Sequence, residues 1–403
     1  MPADDGAELL TGPQVGGLLE AAVRHAGGLL QEWELDHVDA QPRSSTTATY
    51  AARVAWPSGE RHELLGVSAR VQGPSEADVR AEIFADGDRE VAVWLYPNDP
   101  ELPGLPRAAY AASMAAILTD YRVVEGPLAP TDLTLEMMTY RPRRRAVLRD
   151  TVVDGATFYT KVLRESTIDP VARRHRLLLD AGVPAPPVLA RTPDHLLVLG
   201  ALRGDSLARA LFQPGRSCTA EQLIGILDAM PSAVAGLERR PPWADALEHY
   251  AGMIATALPQ ARSALEWITK EVRSGLRGLP PGTEPTHGDF HEGQVHVAGG
   301  KVVGILDIDT IGPGRRADDL ACLIAHMSTI SGMSASQTAG VHALLRSWVP
   351  VFDERVDPIE LRLRASAVVV SLATGPYRVQ APTWREETLA MIDAAGALVR
   401  QVA

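Results

Sequence analysis

Cysteine is nearly absent from this 403-residue chain: Cys218 and Cys322 are its two, and they lie far apart. Neither a disulfide framework nor a cysteine-based zinc site can be built from that pair. Lysine is almost as scarce, with Lys161, Lys270 and Lys301 the three among 39 basic residues, and arginine fills the other basic positions. A retained lysine is therefore more informative than usual. No apolar run approaches the roughly 20 residues of a membrane span. The acidic opening MPADDGAELL lacks the basic-then-apolar pattern of a signal peptide. Positive charge is in deficit as well: the net charge is −11, with acids spread along the chain. That argues against a general nucleic-acid binder, which would be basic. The expectation left by these absences is a soluble cytoplasmic protein with no membrane and no nucleic-acid partner. Nothing in the sequence sets its oligomeric state.

What is present points to two or three domains, because 403 residues exceed one typical domain. An apolar fraction of 46% allows sizeable cores. Residues 1 to about 35 carry apolar residues at helical spacing, among them Leu9, Leu10, Leu18, Leu19 and Val23. Residues 47–71 then read as two strands joined by a Pro-Ser-Gly turn, and EVAVWL as a further strand. RAAYAASMAAILTDY reads as a helix. This block, residues 1–125, is expected to form a small α+β cap. A similar strand-turn-strand follows in residues 138–165, turning near Asp154 and Gly155. Its RPRRRAVLR run is a basic cluster that a solvated strand face accounts for. Next comes a helix with Asp169 as N-cap, Pro170 at its first position and Gly182 at its C-terminus. HLLVLG reads as a strand, and from about Leu207 the pattern is mostly helical.

The densest chemistry lies in THGDFHEGQVHVAGGKVVGILDIDTIGPG, residues 286–314, where His287, Asp289, His291, Glu292 and His296 crowd into ten positions. The stretch reads as a loop, a short strand, a Gly-Gly turn and a second strand. A hairpin of that kind brings the Asp289 loop close to Asp307 at the end of the second strand. Transfer of a nucleotide γ-phosphoryl group needs such a pair. One carboxylate positions the acceptor hydroxyl; another, with a neutral oxygen ligand, holds Mg²⁺ on the phosphates. Asp289, Gln294 and Asp307 can fill these roles. The competing reading is a metal hydrolase, with His287, Asp289 and His291 alternating on one strand face around Zn²⁺.

HGDFHEGQV, then GILDID, then ADDLA resembles the aminoglycoside phosphotransferase-like kinases, whose pattern is HGD-x-H-x-x-N, a hydrophobic-Asp strand and a later DLA. Upstream, FYTKVLRE, AGVPAPPVL and LLVLGALRGDSL are similar to that family's lysine strand, helix-to-strand junction and hinge. The likeness runs in order from about residue 130 to about 330. It implies an α+β, two-lobed, protein-kinase-like fold: a small β-rich lobe at 126–202 and a mainly helical lobe at 203–403, behind the cap. It implies ATP and Mg²⁺ as cofactors and a small hydroxylated acceptor. By position, Asp289 would be the catalytic aspartate, Asp307 and Gln294 the metal ligands, and Lys161 the phosphate contact, with Leu199 and Ala201 in the hinge. Glutamine at 294 is closer to the maltokinases and glucosamine kinases. The acceptor would be a sugar, amino sugar or aminoglycoside. The acids Asp289, Glu292 and Asp309, near His291, would suit a cationic one. Tyr377, Arg378 and Trp384 are candidates for the acceptor pocket. The likeness further implies that His287 supports the catalytic loop through hydrogen bonds and that Asp319 bonds loop backbone, while His296 and His326 read as ordinary polar or packed histidines. The helix after Lys161 offers Arg173, Arg174 and His175 where a glutamate often pairs with the lysine, which keeps open a pseudokinase that binds without transfer.

Overall fold

Five antiparallel strands form the first sheet: β1 (Leu29–Gln41), β2 (Ser45–Trp56), β3 (Gly59–Arg70), β4 (Glu82–Asp86) and β5 (Arg89–Leu95), in the order β1-β2-β3-β5-β4. The computed structural model describes residues 6–41, 45–70, 80–86, 89–213, 215 and 217–402. Helices Ala7–Thr11 and Val15–His25 cover one face of the sheet, so Leu10, Leu19 and Val23 meet Tyr50, Leu65, Val67 and Val93. The Tyr50 hydroxyl donates to the Leu10 carbonyl. The expected helix to residue 35 is corrected here. The helix ends at His25; Gly27 follows with a φ of +86° that only glycine adopts freely, and β1 begins two residues later. Bulges at Leu30/Glu32 and Leu35/His37 interrupt the period of two in β1. That interruption hid the strand in the sequence.

A second sheet repeats the plan. Its strands are β6 (Leu133–Arg141), β7 (Arg145–Val152), β8 (Thr157–Leu163), β9 (Val188–Arg191) and β10 (Leu196–Gly200), ordered β6-β7-β8-β10-β9 and antiparallel throughout. Three strands therefore stand where a single strand-turn-strand was expected. The basic run makes the extra turn at 142–144, and its Arg149 lies on the solvent-open face of β7 as expected. Arg143 sits in the turn at φ +61° and is 5% exposed; its backbone N–H donates to Asp99 and its guanidinium lies 5.0 Å from the Trp94 ring centre. The core of this sheet also takes in chain from the expected cap. Leu102, Leu105, Met114, Ile117 and Leu118 pack with Leu133, Leu148, Val162 and Val198. Burying each of these large side chains contributes about 1.5–3 kcal/mol, so residues 102–118 belong with the second sheet's core.

The chain divides into two compact units. One comprises Met1–Asp169, Val188–Ala201 and Arg378–Gln380; the other comprises Pro170–Pro187, Leu202–Tyr377 and Ala381–Ala403. The first is β-rich and holds both five-stranded sheets, and the second is mainly helical, so the α+β class stands. The helix linking β8 to β9 spans Glu165–Asp180, beginning four residues before the expected cap, with Pro170 inside it. Asp169 pairs instead with Arg191. Gly182 does close the helix, at φ +75°, with Val183 N–H donating to the Leu178 carbonyl.

In the second unit, helix Pro358–Leu372 is buried along most of its length. It packs against Arg316–Ser328, Leu247–Ala257, Arg262–Gly275 and Trp384–Arg400. Two small sheets sit beside these helices: β11 (Asp205–Ser206), β13 (Val295–Ala298) and β14 (Lys301–Ile305) form one, and β12 (Glu284–Thr286) and β15 (Gly312–Gly314) the other. Phe290, Val295, Ile305, Ile308, Ile311 and Leu320 share one core, which anchors the ends of both small sheets. Among the described residues no helix is long and apolar enough to cross a membrane.

Candidate active site

The loop between β12 and β13 is held by one carboxylate. Asp319 accepts the His287 N–H at 2.9 Å on one oxygen and the Gly288 N–H at 2.8 Å on the other. Arg316, 3.2 Å away, supplies the counter-charge from the same helix. Asp319 is 1% exposed, and burial raises its pKa while His287, Arg316 and the two amides pull it down. The hydrogen bonds expected of His287 and Asp319 are thus present. His287 passes a further bond from Nε2 to the Leu306 carbonyl, 2.8 Å, and its own carbonyl accepts from Thr310 Oγ1 at 2.8 Å. Gly288 has φ +80°, and a Cβ there would meet the Thr310 carbonyl oxygen at 2.7 Å. Only glycine allows the two loop segments to approach so closely.

β13 and β14 pair through the expected Gly299–Gly300 turn, with Val295 opposite Ile305. Leu306 N–H donates to the Gln294 carbonyl at 2.7 Å. The hairpin therefore sets Gln294 beside the residue that precedes Asp307. Asp307 adopts φ +48°, ψ +46°, and Asp309 follows in the short turn Ile308–Thr310. A left-handed aspartate costs on the order of 1 kcal/mol and persists where the surroundings over-determine it.

Asp289 faces helix Arg316–Ser328. Cys322 Sγ is 3.8 Å from its Oδ1. His291 stacks on His326 of the same helix, with ring centres 4.2 Å apart and planes within 7°. Cys322 escaped sequence reasoning, and His326, expected as a polar or packed histidine, does pack, with His291 of the loop as its partner. The available signal was helical spacing, since Asp319, Cys322 and His326 fall at i, i+3 and i+7 on one face. Burial lowers the pKa of both histidines, that of His326 to about 4, and keeps the pair neutral. Gly293 N–H donates to His291 Nδ1 at 3.1 Å, so the neutral ring carries its proton on Nε2. The Gln294 amide lies 3.1 Å from that nitrogen.

The zinc reading fails on local geometry. Residues 287–291 form a loop rather than a strand, so His287, Asp289 and His291 do not share a face, and His287 is committed to Leu306. Asp289, Cys322 and His326, and likewise His291, Glu292 and His326, do bring ligand atoms within 4.8 Å of one another.

The expected acidic pocket also thins out. Glu292 has a side chain 13% exposed, its Oε2 is buried without a hydrogen-bond partner, and burial raises its pKa. Asp309 lies in the field of Arg174, whose Nε donates to the Ile311 carbonyl at 3.3 Å. That bond explains an arginine where a glutamate was looked for: it braces the loop after Asp307. His175 is buried and bonds the Pro186 carbonyl at 2.8 Å. Of the three acceptor-pocket candidates near the C-terminus, Tyr377 and Trp384 pack edge to face at 5.1 Å, and Arg378 pairs with Asp39 of β1 at 2.8 Å.

On the second sheet, Lys161 lies opposite Val147 on β7 and Leu197 on β10, and Leu199 is two residues along the same face. The neighbouring Thr160 and Val162 point the other way, Val162 into the apolar core. Lys161 is 7% exposed. Ala201 follows β10 directly.

The chain is similar to several known proteins. A macrolide 2'-phosphotransferase from Brachybacterium faecium is 16% identical, with 69% of this chain and 98% of that one covered and a TM-score of 0.40. A choline/ethanolamine kinase family protein from Mesorhizobium loti is 18% identical, over 73% and 93% of the two chains, with a TM-score of 0.45. A thermostable mutant of an aminoglycoside phosphotransferase gives 14% identity, 71% and 99% coverage and a TM-score of 0.46. An uncharacterized protein of Deinococcus radiodurans is 36% identical over 70 residues, which span 17% of this chain and 20% of that protein. The family model described as "Phosphotransferase enzyme family" matches residues 136–355. That range is more than half of the chain and contains Lys161, the Asp289 loop and the Asp307 hairpin together, and the chain belongs to this phosphotransferase family.

Proposed function

We propose that the protein transfers the γ-phosphoryl group of ATP to a hydroxyl of a small molecule of the sugar class. What supports the reading is the bond from Leu306 N–H to the Gln294 backbone carbonyl, 2.7 Å, which ties the residue that precedes Asp307 to one that offers a side-chain amide. An amide oxygen and a carboxylate are hard donors, and they fit Mg²⁺, which binds through one or two carboxylates plus substrate phosphates. Bound there, Mg²⁺ supplies charge neutralisation on the phosphates. Lys161 adds a fixed positive charge, and Leu199 and Ala201 receive the base. Asp289 orients the acceptor hydroxyl and takes its proton late, since the transition state is loose. Asp319 keeps the loop in place, so positioning is established before substrate arrives. An ATP-dependent reaction of this kind belongs in the cytoplasm.

Titration calorimetry with Mg-ATP, together with ADP release over a panel of sugars, amino sugars and aminoglycosides, tests the reading. Asp289→Asn should leave nucleotide affinity nearly unchanged and lower turnover by on the order of 10²–10⁴. Asp307→Asn should weaken metal-nucleotide binding as well. Near-normal turnover in Asp289→Asn would remove that residue from the mechanism. Nucleotide binding with no ADP from any acceptor would favour a pseudokinase.

A further inference from the structure

A cavity of about 540 Å³ opens in the helical unit beside the catalytic loop. Gly288 and Thr310, the sequence neighbours of Asp289 and Asp309, form part of its wall. The opposite walls are rich in arginine, in a protein whose net charge is −11. Arg239 pairs with Asp245, Arg273 with Glu248, Arg315 with Glu360, and Arg364 with Asp318 and Glu360. Arg240 and Arg277 have no acidic partner among the described residues. Arg240 lies 5.0 Å from the ring centre of Trp243, whose indole nitrogen is buried and has no acceptor. An unsatisfied buried donor costs about 1–3 kcal/mol, which an incoming oxygen would recover. The charge of Arg240 reaches the site itself: it pulls down the otherwise raised pKa of Cys322, the thiol that contacts Asp289.

We infer that the phosphoryl acceptor is an acidic hydroxyl compound, its carboxylate or phosphate group held by Arg240 and Arg277 while a hydroxyl reaches Asp289. The inference rests on the kinase reading and narrows its substrate class. A chain this acidic repels anions at long range, so two guanidinium groups without an acidic partner among the described residues, lining a cavity that Gly288 also lines, mark the place where that field is reversed. Guanidinium recognises carboxylate and phosphate alike through paired N–H donors. The acids expected to favour a cationic acceptor do not oppose this, because the Glu292 side chain is only 13% exposed and Asp309 lies in the field of Arg174.

The test is titration calorimetry on the full chain saturated with Mg²⁺ and a non-hydrolysable ATP analogue, so that the nucleotide's own anions are already in place. Glucuronate, glucose 6-phosphate, glucose and glucosamine are compared as probes. At least one acidic probe should bind about tenfold or more tightly than glucose and glucosamine. That preference should shrink as salt is raised. The pair Arg240→Glu and Arg277→Glu should lower the preference by about tenfold and leave affinity for the analogue unchanged, with Arg240→Gln and Arg277→Gln giving a smaller loss in the same direction. Which acidic probe wins distinguishes a carboxylate from a phosphate. Equal or tighter binding of glucose or glucosamine, no binding of either acidic probe, or a preference indifferent to the arginines would overturn the inference and leave the kinase reading standing. An analogue that fails to bind at all would overturn both.

Discussion

The first and second sheets share a strand order, strand for strand, yet they differ in what they bury. On β2 and β3 the buried polar residues are Thr46, Thr49 and Ser68, small hydroxyls in an apolar, aromatic-backed layer. On β7 and β8 they are Asp150, Thr160 and Lys161. Asp150 faces the core beside Leu148 and Val152; Thr160 donates to it, and among the described residues its Oδ1 has no hydrogen-bond partner. The same strand order thus carries small hydroxyls in one place and buried ionisable groups in the other. Topology does not confer function; the groups whose burial the chain tolerates do. The sheet that gives up stability is the one inside the family match.

The strongest way to break this comparison is a crossed pair of substitutions. Lys161→Met keeps the length and volume of the side chain and should lower turnover by about 10²–10³, the scale for losing one preorganised charge, with little change in unfolding free energy. Leu65→Ala in the first sheet empties a fully buried site and should cost about 2–5 kcal/mol of stability while leaving the turnover of the folded fraction intact. Denaturant titration and ADP release on both variants decide it. If Leu65→Ala slows the chemistry of the folded enzyme, the first sheet is not passive.

Asp150 sharpens the contrast through pH. Burial raises its pKa to about 7 from 3.8. Because the folded value lies above the unfolded one, its contribution is fully present below about pH 4 and is lost as pH rises through about 7. Asp150→Asn should therefore gain on the parent by a few kcal/mol between those limits, then hold a constant lead at higher pH. Stability curves from pH 4 to pH 8 would show it, and a gap that stays flat would mean the carboxyl is not held neutral.

The smallest effect concerns the exposed faces, where the two sheets should behave alike. Arg53–Glu32 and Arg149–Glu136 are cross-strand ion pairs open to solvent. Neutralising either pair should shift a thermal melt by no more than its error, because solvent screens both partners. A clear loss in one sheet alone would show that surface charge, and not burial, separates them.

Much of the catalytic hairpin was legible because it is local. Gly299 and Gly300 force a turn, Val295 and Ile305 mark the buried face, and the spacing from Asp289 to Asp307 follows from strand length. β1 was not legible, because two bulges erase its alternation. The role of Arg143 was hidden for another reason: its partners Asp99, Glu101 and Trp94 lie about 40 residues or more away. Cys322 and His326 were likewise invisible as site residues, since a helix face gains meaning only from what docks on it.

By itself the sequence determined much of the order of the elements and the Gly299–Gly300 turn, and it offered residue types suited to phosphoryl transfer. These depend on backbone sterics and on side-chain chemistry, both properties of short stretches. Tertiary structure alone decided that Asp319 holds the loop from another helix, that Glu292 is sequestered, that Arg174 braces the turn after Asp307, and that arginines gather beside Gly288. Those outcomes depend on burial and on the field of distant charges, and a chain acquires neither until it has folded.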